Sequence, residues 1–222
     1  NVSMNDKSIY TNENVYEQSE ELKEIGTEQD YTKYLSTVFP NSKIKDVVFH
    51  GSMKKDISVF DKSKIGQRKG NKGFYFTSKR NYALRYAVEE QDPFGIYDDL
   101  DLPDIIGKVY NVLLNINNLL IIKTSDGNPN ELIDNAVENL NNKDGIWIQE
   151  DDSVEYKEDA DEIVVFEPEQ IHILGSTNDI QMFKEFMKNQ HPKVDQRLER
   201  LKNRPRTAMP DLNADKIFSP TD

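Results

Sequence analysis

The chain has 222 residues, no cysteine and a formal net charge of −12, from 40 acidic against 28 basic side chains. The lack of cysteine excludes disulfides, zinc–thiolate centres and thiol nucleophiles, and three scattered histidines, His50, His172 and His191, argue against a histidine-rich metal site. The charge argues against a broad nucleic-acid or anionic-membrane surface, and no apolar run reaches the roughly 20 residues that span a bilayer.

Residues Asn1 to Gly26 are polar and acidic and read as a lead-in or a loosely packed helix. The spacing of Tyr31, Tyr34, Leu35 and Val38 at i, i+3, i+4 and i+7 predicts a helix over Glu28 to Val38, ended by Pro40. Val47-Val48-Phe49 reads as a buried strand running into His50-Gly51-Ser52. Met53 to Lys72 is a long polar loop with a clustering of Lys and Arg that is unusual for so acidic a chain. Gly73-Phe74-Tyr75-Phe76-Thr77 is a strand, and Ser78 is positioned to cap a helix from Lys79 to about Glu90 carrying Tyr82, Leu84 and Tyr86 near its inner face. An acidic loop, Gln91 to Pro103, follows.

Val109 to Ile122 reads as two strands broken near Asn117-Asn118, with a turn at Ser125-Asp126-Gly127. Pro129 opens a helix to Asn141 with Leu132, Ile133, Ala136, Val137 and Leu140 on one face. Gly145 to Ile148 is a strand, joined by an acidic hairpin or loop to the run Ile163 to Phe166, with Glu162 at its mouth and Pro168 just past its end. Ile171 to Leu174 is a last strand, and Asp179 to Asn189 a closing helix through Ile180, Phe183, Phe186 and Met187. The order of elements argues for an α+β fold rather than a doubly wound sheet. The expected division is a polar extension over 1–29, one domain over 30–190 and a charged tail over 191–222.

Three segments then line up: Val48-Phe49-His50-Gly51-Ser52; Gly73-Phe74-Tyr75-Phe76-Thr77 with Tyr86 eleven residues past Tyr75; and Glu162 leading a strand that continues into Pro168-Glu169-Gln170-Ile171. Their order and residues resemble the ADP-ribosyltransferase fold of the His-Tyr-Glu type, the poly(ADP-ribose) polymerase and diphtheria-toxin branch, similar to domains of phage and mobile-element polyvalent proteins. The resemblance spans roughly residues 30–180 and implies split antiparallel sheets with flanking helices. It implies NAD+ as substrate with no metal, and release of nicotinamide through an oxocarbenium-like ribose. His50, Tyr75 and Glu162 are then catalytic. His50 would bind a ribose hydroxyl of the adenosine side, and Gly51, with Ser52 beside it, would offer backbone to the carboxamide. Tyr75 and Tyr86 would sandwich the nicotinamide ring, and Glu162 would hold the 2′-hydroxyl of the nicotinamide ribose and steady the developing cation.

The resemblance further implies a mono-ADP-ribosyltransferase encoded by a phage or bacterium as an effector or toxin, located in the bacterial cytoplasm or virion. A protein acceptor is expected, with nucleic acid as the alternative that the net charge disfavours. An inactive binding or virion module on the same fold is the competing reading. Two departures stand out. Ala83 occupies a place where many polymerase-branch members have a serine on the carboxamide. Ala160, two before Glu162, stands where arginine-modifying members have Gln or Glu. The basic loop reads equally as a neutraliser of the NAD+ pyrophosphate or as a solvated segment.

Overall fold

A computed structural model describes residues 15–66, 72–88, 106–123, 129–138, 140–149 and 161–190. The acidic loop from Gln91, the turn at Ser125, most of the segment between Gly145 and Glu162 (including Ala160), the C-terminal tail and residues 1–14 lie outside the described residues. In chain order the elements are α1 (Val15–Gln18), α2 (Glu20–Ile25), α3 (Glu28–Val38), β1 (Val48–Ser52), β2 (Phe74–Phe76), α4 (Arg80–Leu84) and β3 (Lys108–Leu114). They continue with β4 (Leu119–Lys123), α5 (Pro129–Glu138), β5 (Gly145–Gln149), β6 (Glu162–Val165), β7 (Ile171–Ile173) and α6 (Thr177–Gln190).

The described strands form two sheets, β1-β3-β7 and β2-β6-β5-β4, which bury a common core between them. Every pairing is antiparallel except β4 with β5, which α5 joins as a crossover long enough to return the chain parallel. The architecture is thus the expected α+β split-sheet fold with one parallel pair added. Alternation along the strands sets the layers. Val112 and Leu114 of β3 and Ile163 and Val165 of β6 point into the space between the sheets, beside Phe60, Phe74 and Phe76. Leu113 points the other way, into a cluster with Tyr31, Tyr34, Leu35 and Phe183 that docks α1–α3 and α6. Val164 likewise meets Ile133 and Ala136 of α5 on the far side of the second sheet. These strands are buried on both faces, which is why they read as unbroken apolar runs.

Local chemistry sets the ends of elements. Thr27 and Asp30 exchange side-chain and backbone bonds as a capping box that starts α3. Gln170 explains the Pro-x-Gln-Ile continuation. Its Oε1 accepts from Phe166 N and Glu167 N at 3.0 Å each, and its Nε2 donates to Asn115 O at 3.0 Å and Asp144 O at 2.6 Å. One amide thereby satisfies four backbone groups from three segments where the two sheets meet.

The helix expected from Lys79 to about Glu90 is shorter. α4 ends at Leu84, and a tight turn follows, with Arg85 N bonded to Tyr82 O and Tyr86 N to Ala83 O. Ser78 is not its N-cap: Lys79 flanks the helix without a side-chain cap, because the Ser78 hydroxyl and amide both go to Asp161. Among the described residues no helix is long and apolar enough to cross a membrane.

Candidate active site

The site is built where β1 and β2 start to run together and then separate. Phe49 and Thr77 exchange both backbone bonds, Phe49 N to Thr77 O at 2.8 Å and Thr77 N to Phe49 O at 3.0 Å, as an isolated bridge between the two sheets. Continuing that register would set Gly51 opposite Tyr75, but no ladder forms there. Instead the His50 side chain takes the Tyr75 carbonyl, with Nδ1 2.8 Å from the oxygen. A carbonyl only accepts, so Nδ1 carries the proton and Nε2 keeps its lone pair. The imidazole is held edge-on to Phe60, 4.9 Å between centroids, and tilted against Phe76 at 5.6 Å. Burial in this aromatic pocket lowers the His50 pKa below the ordinary histidine value, and the bond to Tyr75 offsets only part of that.

The same alternation determines what Gly51 can do. Phe49 directs its N–H and C=O toward β2, so Gly51, two residues on, directs its own pair to that side, away from its β3 neighbour Val109. Glycine is required here by packing: a Cβ at position 51 would lie 1.7 Å from Ala83 O and 3.0 Å from the Cβ of Tyr86. Helix α4 therefore presses directly on β1 and brings Tyr86 beside Gly51. Tyr86 is 43% exposed, its ring edge-on to Tyr82 at 5.7 Å. Ser52 turns back on its own loop, its Oγ accepting from Lys54 N at 3.2 Å, and joins none of the other named residues.

Glu162 opens β6, opposite Ile148 of β5. Val164 faces Tyr75 across the β2–β6 ladder, so Glu162, two residues earlier, shares the Tyr75 face of the sheet. The Tyr75 phenol is pushed up first by burial and then, against an opposing bond from the Lys72 N–H, by the charges of Glu162 and Asp134. Tyr75 thus stands between two of the predicted residues: its carbonyl accepts from His50, whose ring packs with Phe60 and Phe76 of the core between the sheets, while its side chain shares the α5 face of β2 and β6 with Glu162.

The loop after Ser52 is pinned over its described part. Tyr110 donates to Lys54 O at 2.7 Å and accepts from Ile57 N at 3.0 Å, while Phe60 enters the core. Three of its cations are drawn to acids, Lys62 to Glu167, Lys54 to Asp56 at 3.9 Å and Lys72 to Asp134 at 3.7 Å. These are exposed pairs of small energetic weight. Arg68 and Lys69 lie outside the described residues.

Two participants escaped the sequence reading. Phe60 orients the His50 ring, and Asp161 collects bonds from Thr77, Ser78 and Trp147 immediately before Glu162. Asp161 closes an acidic run that looks solvated, and the available signal was Trp147, whose indole N–H must find a partner when its strand is buried.

Comparison with known proteins adds the family. The profile of ADP-ribosyltransferases in polyvalent proteins matches residues 44–180, more than half of the chain and all of the segment from His50 to Glu162. No curated protein matches. The chain therefore belongs to the family of ADP-ribosyltransferase domains found in polyvalent proteins, and its general chemistry is ADP-ribosyl transfer.

Proposed function

We propose that the domain cleaves NAD+ and moves a single ADP-ribose to a protein acceptor, releasing nicotinamide, as a phage- or bacterium-encoded effector. What carries this reading is the double use of Tyr75, whose backbone carbonyl is held by His50 and whose side chain shares one face of the β2–β6 ladder with Glu162. In the reaction the bond from ribose C1′ to the pyridinium nitrogen breaks, and its electron pair leaves with neutral nicotinamide. The oxocarbenium-like sugar is captured by an acceptor nucleophile that gives up its proton. His50 Nε2 accepts a hydroxyl of the adenosine ribose. The Gly51 N–H and C=O take the carboxamide, and the Tyr75 and Tyr86 rings flank the pyridinium, whose positive charge favours aromatic faces. The Glu162 carboxylate accepts the 2′-hydroxyl and lies closest to the charge that develops on the sugar. Ala83 offers no hydroxyl, so the carboxamide is held by Gly51 without that additional bond.

The direct test is incubation with NAD+ labelled in the adenylate and in the nicotinamide, with a host-cell lysate as acceptor pool. Free nicotinamide and labelled protein are expected. NAD+ bound but never cleaved would favour the inactive module, and label in nucleic acid alone would replace the acceptor class.

The state of His50 predicts a pH dependence. With Nδ1 committed to Tyr75 O, Nε2 accepts only while the ring is neutral. Burial lowers this pKa, so kcat/KM for NAD+ is expected to be level through neutral pH and to fall only below about 6.5, the ordinary histidine value. The stability contribution has the same sign. It is present above the unfolded pKa and is lost as pH falls through the lower folded one. A pH–rate profile checks this, and an acid limb centred at or above the ordinary value would contradict it.

A further inference from the structure

We propose that Asp161 is a positioning residue for the transfer, latching the head of β6, and with it Glu162, to the end of β2 and to Trp147 of β5. The proposal rests on the role given to Glu162 above. Asp161 Oδ1 accepts from Ser78 Oγ at 2.8 Å, Ser78 N at 2.9 Å and Thr77 Oγ1 at 3.1 Å, and Oδ2 accepts from Trp147 Nε1 at 2.8 Å.

The latch lies where the backbone ladders run out. The β2–β6 pairs stop at Phe76 and Ile163, and the β5–β6 pairs stop at Ile148 and Glu162. Glu162 is thus the last residue held by the sheet on one side and already beyond it on the other. The side chain of the preceding residue supplies the missing bonds. Thr77 also carries the bridge to Phe49, so the latch joins the strand of Glu162 to the strand of His50.

Only a carboxylate suits this place. It accepts at both oxygens and donates nowhere, whereas an asparagine would turn an N–H₂ toward Trp147 or toward the Ser78 and Thr77 donors. Asp161 acts through Glu162 and needs no contact with NAD+.

In the full chain, NAD+ cleavage by Asp161→Asn is compared with the parent, and the emission of Trp147, the one tryptophan present, is read on the same samples. Because small misplacements of a reacting group are costly, kcat is expected to fall about 10- to 100-fold while KM for NAD+ stays within about twofold. The emission shifts as the indole N–H loses its partner. Ser78→Ala removes one donor, keeps the backbone N–H and is expected to lower kcat by a smaller factor at unchanged KM. It decides the matter if Asp161→Asn does not fold. A folded Asp161→Asn, or in its place Ser78→Ala, that keeps the parent kcat overturns the latch and leaves the role of Glu162 standing. So does a rise in KM that matches the fall in kcat, since the carboxylate would then shape the NAD+ pocket instead. A parent protein that binds NAD+ without cleaving it overturns the reading of Glu162, and the latch with it.

Discussion

Glu162→Gln is expected to bind NAD+ about as well as the parent and to turn it over at least about 100-fold more slowly, which corresponds to roughly 2.7–4 kcal/mol of transition-state stabilisation. The substitution keeps the shape of the side chain and an oxygen that accepts a hydroxyl, so ground-state binding changes little. What it removes is a full negative charge next to a sugar that becomes positive only as nicotinamide departs. An interaction made mainly in the transition state appears in kcat and not in KM. Position favours this pattern. Glu162 is carried on a strand paired with β5 and followed by the buried residues Ile163, Val164 and Val165, so the backbone beneath the substituted side chain stays in place.

Isothermal titration with NAD+ and a nicotinamide-release assay on the same preparation separate the two quantities. Equal turnover by the variant would remove Glu162 from the chemistry. Lost binding with retained fold would make it a binding residue. An independent sign that the charge has gone is available at Tyr75. Glu162 is one of the groups that push this phenol up, so its ionisation is expected to begin at lower pH in the variant.

Residue types and their order carried most of the frame. The apolar runs at Val48, Phe74, Val109, Gly145 and Ile163 all became strands, and the stripe through Tyr31, Tyr34 and Leu35 became the buried face of α3. Periodicity failed where the deciding bond joins residues far apart in the chain. Ser78 has the composition of an N-cap, yet Asp161, 83 residues later, takes both its donors. The helix beyond it stops at Leu84, although helical spacing continues in sequence through Tyr86. Pattern alone also could not show that α5 returns the chain parallel, because the amphipathic face of a crossover looks like that of any surface helix. In the site, Gly51 was legible as a close approach, but its direct cause is the Ala83 carbonyl of a helix about thirty residues on.

The largest expected loss of stability comes from Asp179, read from sequence only as the start of the closing helix. Its carboxylate is fully buried and accepts from Tyr31 OH at 2.5 Å and Gly175 N at 2.7 Å on one oxygen, and from His172 Nε2 at 2.7 Å and Tyr34 OH at 3.0 Å on the other. These donors come from α3, β7 and the turn before α6, so one side chain ties the N-terminal helices to the first sheet. Asp179→Ala removes the acceptor on which the buried Tyr31, Tyr34 and His172 converge, leaving Tyr34 the longer bond to the backbone carbonyl of residue 179 at 3.4 Å, and is expected to cost about 3–5 kcal/mol, a large part of the roughly 5–15 kcal/mol that holds a typical domain folded. For a chain of this size the melting temperature should drop by about 10 °C.

The same network sets an alkaline limit. Burial first, and the Asp179 charge second, raise Tyr31 and Tyr34 far above the usual tyrosine range. Their contribution is complete below about pH 10 and is lost as pH rises, because the unfolded chain then releases protons that the folded one keeps, at about 1.4 kcal/mol per pH unit for each ring. Urea unfolding at pH 8 and pH 11 should show this loss in the parent and a shallower one in a Tyr31→Phe, Tyr34→Phe double variant. A melting temperature for Asp179→Ala within about 2 °C of the parent would mean that the apolar contacts of Tyr31, Tyr34 and Phe183 hold these helices without the carboxylate.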